Sequence, residues 1–144
     1  MARDYQFTDI SASGPGMVTA AFDNQVAYCS ASGAHITARI CAAVRDLLEA
    51  GEGGALLDRV RGWTGAPLAD ALPLRLAGGL HALHLKGAAP ALAAIYDGRE
   101  GGDDAAIVAA AIHANEAELL PWLDGPPQTN EAGRSSNFIA AMLW

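Results

Sequence analysis

The sequence predicts an all-α fold, an irregular bundle of about six to seven helices around a central apolar helix over residues 73–86. Three observations carry that expectation. Alanine dominates a hydrophobic share of 51%, aromatic residues make up only 6%, and β-branched residues are sparse, so intrinsic propensity favours helix. Apolar residues recur at spacings of three and four along most of the chain. No segment alternates apolar and polar residues long enough to read as a strand.

Residues 1–14 are polar and lead into Ser13-Gly14-Pro15-Gly16, which reads as an arm ahead of a single helical domain over 15–144. The first helix is expected from about Met17 to Ser30, with Val18, Phe22, Val26 and Cys29 on one face and Ser32-Gly33 as its stop. The second runs from about Ala34 to Ala50 and buries Ile36, Ile40, Val44, Leu47 and Leu48; Gly51 closes it. A short third helix, about Ala55 to Trp63, turns Leu56, Leu57 and Val60 inward.

After the Thr64–Pro67 loop, Pro73 opens the central helix, which continues to about Lys86. It carries Leu74, Leu76, Ala77, Leu80, Leu83 and Leu85 on nearly every side, the pattern of a helix in the middle of a bundle. Gly78-Gly79 lowers its propensity by about 1 kcal/mol per glycine, a cost that close approach of a neighbouring helix would explain. Pro90 to Tyr96 is a short helix. Asp103 and Asp104 then place negative charge at the start of a helix running to about Leu120, where Pro121 is expected to end or kink it. A polar loop from Gly125 precedes a last helix bearing Phe138, Ile139, Met142 and Leu143.

At 144 residues the chain is one domain's worth and long enough to fold without a metal or disulfide. Its formal charge of −7 and scattered arginines, interleaved with Asp46, Glu49, Glu52, Asp58 and Asp70, argue against nucleic acid as a partner. Cys29 and Cys41 lie within apolar patterns and read as buried free thiols. No signal-peptide pattern and no run of 18 apolar residues is present, so no membrane association and a cytoplasmic location are expected.

Four histidines, His35, His81, His84 and His113, are the first candidates for chemistry. His81 and His84 are neighbours on the central helix, yet no carboxylate or thiol follows at a matching offset, so no metal site is expected. The reading instead is that His81 or His84 is buried among leucines and bonded to a neighbouring carbonyl or carboxylate. Arg75 is an arginine in an apolar helix and requires an acceptor; it either ties two helices or faces a ligand. Asp70 could bond the start of that helix.

Gln128, Thr129, Asn130, Glu131 and Arg134 form the densest polar string in the chain. A helix cap needs one such residue, not five, so the surplus points to a ligand or an interdomain contact. No P-loop, Cys-x-x-Cys, Gly-x-Ser-x-Gly or His-Glu-x-x-His is present, and no serine has a base at a matching spacing. The chain by itself is therefore not expected to be an enzyme.

The stretch Ala71-Leu-Pro-Leu-Arg-Leu-Ala-Gly-Gly-Leu-His-Ala-Leu-His-Leu and the string Pro126-Pro-Gln-Thr-Asn-Glu-Ala-Gly-Arg-Ser resemble two signatures of a bacterial family, domain of unknown function 2332. The Phe22–Cys29 helix and its Ser-Gly exit fit the same family's opening. The resemblance implies an N-terminal helical half of a longer architecture, whose second half looks like a methyltransferase nucleotide-binding unit. S-adenosylmethionine would then be bound only together with that half, and no cofactor by this chain alone.

Three functions follow as alternatives. The chain is a helical cap that shapes a substrate pocket, with Arg75, His81, Asn130, Glu131 and Arg134 along a cleft. It is an interaction module that dimerises or docks through Phe138, Ile139, Met142, Leu143 and Trp144, since such an apolar end marks an interface. Or it is a free-standing enzyme of unknown chemistry.

Overall fold

The computed structural model describes residues 13–14 and 16–124. Among them, seven α-helices and no strands are found: α1 (Met17–Ala31), α2 (His35–Glu49), α3 (Ala55–Arg61), α4 (Leu72–Leu85), α5 (Ala93–Tyr96), α6 (Asp104–Ala114) and α7 (Glu116–Asp124). A 3-10 turn, Pro90–Leu92, leads into α5. The all-α expectation holds.

Local chemistry sets the ends of these helices. At the end of α1, Gly33 takes a left-handed φ of 87°. That lets Ala34 N–H reach the Cys29 carbonyl at 2.8 Å and Gly33 N–H reach Ser30 at 3.3 Å, the paired closure of a Schellman motif. The same closure ends α2, α4 and α5. α6 begins on a side-chain cap, where Asp103 Oδ1 accepts from Ala106 N–H at 3.0 Å.

α4 is central. Leu72, Leu76 and Leu80 are fully buried, and Leu74, Ala77 and Leu83 nearly so. It packs chiefly on α7, with further contacts to α1 and α2, while α1 and α2 form a helical hairpin and α6 lies against α2. The core is completed by Phe22, Ile40, Leu56, Leu57, Leu92, Ile95, Ile112 and Leu119. Leu85 departs from expectation: it is 74% exposed, because it is the last residue of α4 and the Gly87 closure turns the chain away there.

Gly79 explains one half of the Gly-Gly pair. A Cβ there would stand 2.8 Å from Leu119 Cδ2 and 3.1 Å from Trp122 Cγ, so α7 approaches the α4 backbone at the position the side chain would occupy. Between α2 and α6, Arg39 grips Asp104 with two bonds, Nε to Oδ2 at 2.9 Å and Nη2 to Oδ1 at 2.8 Å. That carboxylate holds the Arg39 guanidinium charged more firmly than usual.

The helix expected from Asp104 to Leu120 is two helices. The break falls at Asn115, not at Pro121. Asn115 Nδ2 donates to the Ala111 carbonyl at 2.9 Å and replaces the main-chain donor of a continuous helix. Pro121 is then tolerated inside α7, because the one carbonyl it leaves without a donor belongs to exposed Ala117, which water can reach. The arm over 1–14 lies almost wholly outside the described residues, as does the last helix with Phe138, Ile139, Met142, Leu143 and Trp144.

Candidate functional site

A cleft of about 550 Å³ opens between the end of α3, the loop that follows it and the end of α7. It is lined by Arg59, Trp63, Thr64, Asp70, Leu123 and Asp124, with Gly62 and Gly65 at the loop. That volume falls within the range of small-molecule sites.

The loop is held from several sides. Trp63 leaves α3 half-buried, and its indole Nε1 donates to Asp70 Oδ2 at 2.8 Å. A large aromatic with a polar handle needs such an acceptor when buried. Gly65 passes so close that a Cβ would lie 2.3 Å from Asp70 Oδ2, so a side chain there would have to displace that carboxylate. Next to Asp70, Ala71 carries a φ of 55°, a left-handed conformation rare for a residue with a Cβ. The carbonyl of Asp70 accepts from Arg75 Nε at 2.7 Å. Asp70 is thus fixed through its side chain by Trp63 and through its main chain by Arg75.

Arg59 completes the wall. Its guanidinium lies 5.8 Å from the Trp63 ring centroid and forks onto Asp124, with Nη1 to Oδ2 at 3.3 Å and Nη2 to Oδ1. The pairing pulls the Asp124 carboxyl below its ordinary range and raises Arg59.

A second polar group lies on the other part of α4. His84 stacks on Tyr96 at 4.4 Å between centroids and 9° between planes, and His81 meets the same ring at 5.2 Å and 54°. Burial, helped by the nearby His84, lowers the His81 pKa from its usual 6.5, and burial raises the Tyr96 phenol. The fold therefore favours neutral His81: its contribution to stability is present above about pH 6.5 and lost as pH falls through the lowered value. Wild-type melting temperature is expected to drop between pH 7 and pH 5 more steeply than that of His81→Gln, and parallel curves would refute the assignment.

The family model described as "Uncharacterized protein conserved in bacteria (DUF2332)" matches residues 19–144. The chain belongs to DUF2332. No curated protein and no solved structure matches it.

In this DUF2332 chain the predicted site residues are placed unequally. Arg75 is half-buried behind the cleft and braces the Asp70 main chain. His81 belongs to the separate Tyr96 cluster; neither it nor His84 is buried among leucines, since both remain partly exposed against an aromatic ring. Asp70 meets the first turn of α4 through its carbonyl, which accepts from Arg75 Nε, while its carboxylate accepts from Trp63. Gln128, Thr129, Asn130, Glu131 and Arg134 lie outside the described residues.

Among the described residues no group of three or more His, Cys, Asp or Glu is placed to hold a metal ion, and no helix is long and apolar enough to cross a membrane. Cys29 and Cys41 are free and buried; burial pushes both thiols up, which leaves them poor nucleophiles. His113 bridges two carboxylates at the surface, with Nε2 2.9 Å from Glu52 Oε2 and Nδ1 3.9 Å from Glu116 Oε2. Glu116 also accepts from Leu56 N–H at 3.2 Å and so caps α3 from another helix.

The residues that sequence reasoning missed are Arg59, Trp63 and Asp124. A tryptophan leaving a helix into a Thr-Gly-Ala-Pro loop was the available signal, since its indole N–H needs an acceptor if the ring is covered.

Proposed function

We propose that this DUF2332 chain is a helical, substrate-shaping cap whose working face is the Trp63 cleft. The observation that carries the reading is the cleft itself, a concave site about 550 Å³ in volume with an aromatic wall and fixed polar groups. Two further features support it. Asp124, the last described residue, lines the cleft, and the polar string from Gln128 to Arg134 follows it in sequence. Arg75, expected to face a ligand or to tie helices together, acts on the cleft from behind through Asp70.

The role so assigned is binding and orientation. Asp70, Trp63 and Arg59 would position a small polar molecule, and methyl transfer would belong to a companion half that carries S-adenosylmethionine, as the family resemblance implies. Thermal-shift measurement against small metabolites and S-adenosylmethionine tests the reading. A metabolite present at about a hundred times its Kd stabilises the folded chain by about 2.7 kcal/mol, a rise of roughly 5–10 °C. The expected result is that such a rise occurs for a metabolite and is lost in Trp63→Ala, each shift being measured from that protein's own melting temperature. S-adenosylmethionine is expected to give none with this chain alone. Metabolite shifts that persist unchanged in Trp63→Ala would refute the cleft as the working face.

A further inference from the structure

We infer that the Trp63 cleft takes a small organic ammonium, bound through the Asp70 carboxylate. The inference rests on the cleft being the substrate-facing surface and adds the charge of what enters it.

The charges lining the cleft decide the class. Among the described lining residues, Arg59 is the one cation, and Asp70 and Asp124 are the anions. Arg59 is already committed to Asp124 by a forked ion pair. Asp70 is left: its Oδ2 accepts from the Trp63 indole, and no cation among the described residues bonds its carboxylate. An ionised carboxylate has about four acceptor positions, and one neutral N–H fills one of them. A half-buried carboxylate in that condition favours a charged donor, because removal from water costs free energy that only pairing returns.

The carboxylate is also held in place before any ligand arrives. The indole bond, the Arg75 bond to the Asp70 carbonyl, the left-handed Ala71 and the close passage of Gly65 leave it little freedom. A ligand meeting a fixed acceptor loses less ordering entropy on binding. Beside it, Trp63 and Leu123 offer apolar surface for a short carbon chain. The described lining residues set one arginine against two aspartates, a net charge of −1 that disfavours an anion.

Calorimetric titration of the whole chain with 1,4-diaminobutane, 1,4-butanediol and succinate tests this. These probes share a four-carbon frame and differ in charge. The expected result is millimolar binding of the diamine alone, weakened by added salt. Asp70→Asn keeps the acceptor for Trp63 and removes the charge, and is expected to weaken the diamine by about tenfold or more. Succinate binding in place of the diamine would overturn the ammonium assignment while leaving the cleft reading intact. Equal diamine affinity in a folded Asp70→Asn would overturn it too, as would no diamine binding to the wild type. Should Asp70→Asn not fold, the ranking of the three probes on the wild-type chain decides alone.

Discussion

Leu80→Ala is expected to lower the free energy of unfolding by about 3–4 kcal/mol, read as a fall in the midpoint of a urea titration with little change in slope. Leu80 is fully buried on the helix that packs against α1, α2 and α7. Truncation there removes apolar contact and leaves a cavity that surrounding helices fill only in part. A helix at the edge of the bundle would relax into the gap and lose far less. A loss below about 1 kcal/mol would therefore contradict the central position of α4.

Gly79→Val tests the same helix from the opposite direction, by adding atoms. The new Cβ alone would stand 2.8 Å from Leu119 Cδ2, and Leu119 is fully buried and cannot swing away. The branched side chain must push α7 off α4, at a cost of about 3 kcal/mol or more. Gly79→Ala is expected to cost less, because alanine regains about 1 kcal/mol of helix propensity. Differential scanning calorimetry should place Gly79→Val roughly 10 °C below wild type. A variant that melts with the wild type would show that α4 and α7 do not meet there.

These helices were legible because the burial they need is periodic. Ile40, Val44, Leu47 and Leu48 repeat on one face of α2, and Leu74 to Leu83 leave α4 no polar side except at Arg75 and the histidines. The helix ends were legible where glycine follows the last turn, as at Gly33 and Gly51. The Asn115 break was not, because a side chain replacing a main-chain donor leaves no periodic trace, whereas Pro121 draws attention and is harmless beside an exposed carbonyl.

Of the candidate site, only part could be read. Arg75 stood out as a cation among leucines, and its Nε donates to the carbonyl of Asp70, a residue that lines the cleft. The cleft depends on partners distant in sequence: Arg59 and Asp124 are 65 residues apart. It also depends on the left-handed backbone of Ala71, which alanine does not signal. His81 was legible as unusual, but its partner is Tyr96, a ring brought beside α4 by the turn at Pro90. Nothing in the spacing of α4 reveals that.

The claim that the Trp63 cleft is the working face is tested most directly by two-dimensional nitrogen–proton NMR of the labelled chain. The titrant is the metabolite that stabilises it most in the thermal-shift screen. The predicted result is a moving Trp63 indole resonance, assigned through Trp63→Phe, together with shifts in the amides of residues 59–70. Shifts confined to the amides around His81, His84 and Tyr96, with the Trp63 indole unmoved, would contradict it.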